Sequence, residues 1–189
     1  DTREISNLLG LSYDSWLSKA KEVLQIPDSP LSVKDGIWKV SHRSELLQLL
    51  GSRILDQNLD AFRATAVNVL KERDPAFELA EDERYAASIY GKDYSYSPGF
   101  RKGLAEGLAL ISNNPGAFPN ASHGTAEAVN ILAVREIFAD ADWVTWGSLN
   151  NLLPTLAEAA PENFLDTVEA ALQIDPCPFD TLFAQEGNG

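Results

Sequence analysis

The sequence predicts an all-α (mainly α) chain built from stacked antiparallel helix pairs, HEAT- or TPR-like and superhelical, with one small β-hairpin near residues 31–41. Three observations lead there. The run "SLNNLLPTLAEAAPENFLDTVEAAL" carries two successive apolar stripes at helical spacing, first Leu149, Leu152, Leu153, Leu156 and Ala160, then Phe164, Leu165, Val168, Ala171 and Leu172. Two short amphipathic helices joined by a tight corner cannot bury both stripes alone, so they need stacked neighbours of the same kind. The rest of the chain gives about eight helical segments in all, no parallel-sheet pattern, and one Asp-Gly turn signal at Asp35-Gly36.

The elements follow in order. "DSWLSKAKEVLQ" places Trp16, Leu17, Ala20, Val23 and Leu24 on one helical face, with Asp14 as its expected cap, and "IPDSP" ends it. The hairpin comes next, with Trp38 expected to pack on the helices. "RSELLQLLGSRI" is a helix that Gly51 closes. The helix after it is capped near Asp56 or Asn58, turns Leu59, Phe62, Ala66, Val69 and Leu70 inward, and stops at Pro75. "AEDERYAASIYGK" reads as a helix with an acidic front, closed by Gly91 and Lys92. Ser97 caps a helix with Pro98 at its first position, which runs to Asn113-Asn114-Pro115-Gly116. "SHGTAEAVNILAVREIFADAD" is a long helix, and "DWVTW" a linker or single turn. In the 148–172 run Ser148 is the expected cap and Pro161 opens the second helix. Pro154, about one turn in, belongs to an irregular first turn or kinks the helix. "PFDTLFAQEG" completes the chain.

Charge is unevenly spread along the 189 residues, whose net charge is −13. Residues 1–102 hold 14 Lys+Arg against 16 Asp+Glu, whereas residues 103–189 hold Arg135 alone against 12 acids. The change falls near "ISNNPGAFPNASHG", at 111–124, and divides the expectation into two helical subdomains, 1–112 and 113–189. The acidic half repels phosphate backbones and suits a basic partner or basic neighbouring domain. No apolar run reaches the roughly 18 residues of a membrane span. A single cysteine, Cys177, allows no intrachain disulfide and points to the cytoplasm. The absence of methionine suggests a fragment of a larger protein.

Catalytic chemistry finds no foothold. His42 and His123 are the only histidines, and with one cysteine they form no zinc spacing, so no metal and no cofactor is expected. Cys177 sits between two prolines and near acids, the setting of an inert thiol. No phosphate-binding glycine frame occurs. Gly103 and Gly107 suit close helix packing. The acids in "ELAEDERYAA" are explained by the helix dipole. The candidate binding patch is "YAASIYGKDYSYSPGFRKG", where Arg84, Lys92, Arg101 and Lys102 interleave with Tyr85, Tyr90, Tyr94 and Tyr96. Such a mixture can stack on bases, hold phosphates or form a protein hot spot, and equally makes an ordinary helix–loop–helix corner.

Several phrases together, "SPLSVKDGIWKVSHRSE", "VLKERDPAFELAEDERYAASIYGK", "YSPGFRKGLAEGLALI", "AVREIF" and "PFDTLFAQE" besides the 148–172 run, resemble the helical part of large bacterial multidomain proteins of the STAND class, signal-transducing P-loop ATPases linked to antiphage defence. In such proteins the helical region senses or scaffolds, while the ATPase and effector lie elsewhere. The resemblance implies a non-enzymatic scaffold or sensor for protein–protein or interdomain contacts, and transfers no catalytic residue. The alternative expectation is a nucleic-acid-binding module using residues 84–102.

Overall fold

The computed structural model describes residues 1–186. It is mainly helical, with a two-stranded antiparallel hairpin as its only sheet among those residues. α1 (Thr2–Leu9) ends at Gly10, whose φ of 64° is the left-handed conformation that favours glycine. α2 (Tyr13–Leu24) is capped by Ser12, which accepts the Ser15 N–H at 3.2 Å. The expected cap, Asp14, sits instead in the first turn, where its charge meets the positive end of the helix. In the hairpin, β1 (Leu31–Lys34) pairs with β2 (Ile37–Val40) in the register Leu31↔Val40. Asp35 and Gly36 both take positive φ, 53° and 77°, which matches the turn to the twist of the strands.

α3 (Arg43–Leu50) runs into a 3-10 turn, Gly51–Arg53, and α4 (Asp56–Leu70) follows. Asn58 serves α4 by accepting the Leu55 N–H at 2.9 Å. Asp56 is drawn elsewhere, to the N–H and hydroxyl of Ser122 at 2.7 and 2.5 Å. The segment 81–90 is not the expected α-helix. It is a pair of 3-10 turns, Glu81–Tyr90, broken at Ala86. Its apolar side chains at helical spacing, Tyr85 and Ile89, stand 91% and 86% exposed instead of packing on the core, so no burial repays a full α-helix there.

α5 (Pro98–Asn113) begins at Ser97, whose hydroxyl accepts the Phe100 N–H at 3.2 Å. α6 (Thr125–Ile137) and α7 (Trp143–Ser148) lead to the corner read above from its stripes. The first of those stripes is split. Ser148 closes α7 rather than capping a new helix, residues Asn150–Leu152 form a 3-10 turn, and α8 is only Leu153–Ala159. Pro154 explains the break: it lacks an N–H, so an α-helix is free to start just ahead of it and not earlier. α9 (Pro161–Leu172) and α10 (Pro178–Glu186) complete the described chain.

The core lies where α5 packs on α8 and α4 on α6. Leu59, Val69, Leu108, Val134, Ile137 and Leu156 are buried there, so core residues come from both sides of the 111–124 segment. Trp146, 1% exposed, anchors the α7 end, with Phe138 at 4.5 Å and Phe179 at 4.8 Å between ring centres. Gly107 lets α5 approach α4, since a Cβ there meets the Phe62 ring at 2.6 Å. Gly103 has open space instead and serves no close packing. Among the described residues no helix is long and apolar enough to cross a membrane.

Candidate functional site

The side chains of the 84–102 patch are dispersed by the fold. Arg101 is the largest correction: the sequence places it on a basic surface, and the structure buries it to 4% exposure. It lies on the inward stripe of α5 with Leu104, Ala105, Leu108 and Ala109. Its Nη1 donates to the Val69 carbonyl at 3.0 Å and the Glu72 carbonyl at 3.3 Å, and its Nη2 donates to the Ser148 carbonyl at 3.2 Å. The Glu72 carboxylate lies 3.5 Å from Nη1. Val69 is in the last turn of α4 and Ser148 ends α7, so one guanidinium satisfies carbonyls at two helix C-termini, where positive charge is favoured.

Tyr94 closes this joint. Its ring lies 4.3 Å from the Arg101 guanidinium carbon, and its hydroxyl donates to the Ser148 carbonyl at 3.2 Å. Burial, reinforced by the Asp74 carboxylate, pushes the Tyr94 phenol up to about 12. Glu72 also accepts the N–H groups of Ser95 and Tyr96, which fixes the loop carrying these tyrosines. The Ser148 hydroxyl accepts the Asp74 N–H at 2.8 Å and donates to the Val144 carbonyl at 2.6 Å, so it is occupied rather than poised for attack.

The remaining patch residues point to separate places. Arg84 donates to the Leu79 carbonyl at 3.3 Å and lies over the rings of Phe77 and Trp143 at 5.1 and 5.8 Å. Lys92 pairs with Glu78. Tyr96 accepts from the Asn68 amide at 3.1 Å. Lys102 lies 3.7 Å from Glu106 along its own helix. Tyr90 is exposed, like Tyr85. Only Tyr94, Arg101 and Lys102 come together, on an open cleft of about 460 Å³ also lined by Asp74, Asn150 and Asn151. Among the described residues no group of three or more His, Cys, Asp or Glu is arranged to hold a metal ion. Cys177 is half-buried and unbridged.

The feature that residue patterning did not single out is the outer face of α9. Phe164, Val168 and Ala171 from the second stripe pack on the core. Leu165 and Leu172 do not; they are 59% and 56% exposed. With Glu162, Asp166 and Glu169, also exposed, they fall at helical spacing on one solvent-facing stripe. Among the described residues those acids enter no ion pair. The arginines that do bridge to acids of the second half are Arg43 with Glu106, Arg63 with Glu136 and Arg73 with Asp142, all on α5, on α6 or at the start of α7. Ile174 and Phe183 extend the exposed apolar area beyond α9. Set against protein-family models, curated proteins and solved structures, the chain matches none of them.

Proposed function

We propose that this chain is a non-enzymatic helical scaffold or sensor module of a larger cytoplasmic protein, and that it holds a protein partner or neighbouring domain on the outer face of α9. The observation that carries this reading is the stripe Glu162, Leu165, Asp166, Glu169 and Leu172, apolar and acidic at once, with no cation paired to it among the described residues. Scattered exposed leucines need no explanation, but two on one face, two turns apart and flanked by unpaired acids, suit a segment with the reverse pattern. A basic amphipathic helix has that chemistry: apolar side chains to cover Leu165 and Leu172, and Lys or Arg to meet the carboxylates. The resemblance to the helical regions of STAND proteins supports the same role, since those regions sense or scaffold beside an ATPase and an effector.

The test is fluorescence anisotropy with a labelled Leu/Lys amphipathic helical peptide, and a Leu/Glu peptide of the same pattern as control. The expected result is binding of the basic peptide alone, weakened by salt and lost in the double variant Leu165→Asp, Leu172→Asp. Equal binding of both peptides, or binding indifferent to the double variant, overturns the assignment.

A further inference from the structure

Two apolar hollows meet beside α3. One, of about 380 Å³, is lined by Trp38, Leu46, Leu50 and Gly103 among others. The second, of about 370 Å³, is walled by Leu8, Leu9, Leu59, Phe62, Ile111 and Phe118, drawn from α1, α4, α5 and the segment after α5. Leu47, Ile54, Gly107 and Leu110 line both, so the two are continuous. Each lies within the roughly 300–1,000 Å³ typical of small-ligand sites.

The polar side chains on the second hollow are just two, Arg53 and Asn58. Asn58 uses its Oδ1 to accept the Leu55 N–H at 2.9 Å, which leaves its Nδ2, a pure donor, uncommitted. Arg53 is exposed, and among the described residues it enters no ion pair or side-chain hydrogen bond. By contrast Arg43, on the first hollow, is held by Glu106 at 2.5 Å. The second hollow therefore offers apolar walls, one guanidinium and one amide donor, and no carboxylate among its lining residues. A carboxylate finds a fork-shaped cationic partner and a second donor.

We propose that this hollow binds an amphiphilic monoanion of the medium-chain carboxylate class, with the alkyl tail between α1, α4 and α5 and the carboxylate on Arg53 and the Asn58 amide. The site shares no residue with the α9 face, so the two assignments stand or fall separately. Isothermal titration of the whole chain with decanoate, below its micellar concentration, tests it, with decyltrimethylammonium as the control of equal tail and opposite charge. The expected result is saturable one-to-one binding of decanoate and none of the cation. Arg53→Glu weakens decanoate binding at least about tenfold, and Arg53→Ala, which adds no repulsion, weakens it in the same direction. Arg53 is solvent-facing, and thermal melts of both variants confirm that they stay folded. No saturable decanoate binding, equal binding of both amphiphiles, or an affinity unchanged in Arg53→Glu overturns the proposal.

Discussion

Replacing Arg101 by methionine tests whether the guanidinium is a structural joint or a surface ligand. Methionine keeps the length and apolar packing of the side chain and removes only the charge and its donors. Three backbone carbonyls lose a charged donor, at Val69, Glu72 and Ser148. The Glu72 carboxylate, with its side chain 15% exposed, loses the cation 3.5 Å away. Breaking a buried pair by removing one partner costs about 3–5 kcal/mol. Glu72 keeps some solvent and the N–H groups of Ser95 and Tyr96, which places the expected loss near the lower end, about 3 kcal/mol. For a chain of this length that is a drop of about 6–12 °C in Tm.

Urea unfolding followed by far-ultraviolet circular dichroism measures it, with the m-value checked so that the shift reads as stability. Arg101→Lys supplies the control. A lysine keeps the charge but lacks the planar fork that reaches two helix ends at once, so it recovers only part of the loss. Adding Glu72→Gln to Arg101→Met removes the stranded carboxylate and recovers at least about 1 kcal/mol, read from a double-mutant cycle. A loss under about 1 kcal/mol for Arg101→Met refutes the joint and returns Arg101 to the surface patch.

Three further outcomes follow from single positions. Gly51→Ala brings a Cβ to 1.8 Å from the Ala117 carbonyl oxygen, so it costs about 1–3 kcal/mol in a thermal melt, even though φ of −60° suits alanine; a neutral or stabilising result denies that contact. Asn130 is 2% exposed and both of its side-chain polar atoms lack partners among the described residues, so Asn130→Leu raises stability by about 1 kcal/mol in urea unfolding, and a loss means the amide is satisfied in solution. Because the Tyr94 phenol is raised to about 12 from 10.0, the folded state keeps its proton after the unfolded chain has begun to lose it. The stability it contributes is complete below pH 10 and fades toward pH 12, so Tyr94→Phe unfolds over this window with a weaker pH dependence, and an unchanged dependence contradicts the assignment.

How far the sequence discloses this molecule depends on which interactions decide each element. Stripes at 3.6-residue spacing locate α4, α5, α6 and α9 because burial of one face decides them. The Asp35-Gly36 turn and the Ser97-Pro98 start are legible because their chemistry is local. The segment 81–90 is helical and closed by Gly91 as its pattern suggests, but in 3-10 form, because the burial of Tyr85 and Ile89 that would favour a full α-helix does not occur. Arg101 is misread for the opposite reason. Its charge suggests solvent, yet it occupies the position three before Leu104 and four before Ala105, squarely on the buried stripe. A charged residue on such a stripe signals a buried partner, and that partner, Glu72, lies beyond the reach of local pattern.

The charge asymmetry gains its meaning only in three dimensions. The chain looks like a nearly neutral first half followed by an acidic second half in want of a cation. Arg43, Arg63 and Arg73 show that the first half supplies cations to the second, across α5, α6 and the start of α7. Pairs this exposed contribute about 0–1 kcal/mol each, so they align surfaces rather than hold the fold, which rests on the shared core. Their reach ends before α9. Glu162, Asp166 and Glu169 are left beside Leu165 and Leu172, so charge without an ion pair among the described residues and uncovered apolar surface coincide on this helix. Solubility alone accounts for acids, and chance exposure accounts for a leucine; neither accounts for both at helical register. A partner that is basic and amphipathic accounts for both at once, and that chemistry is the occupant proposed for the α9 face.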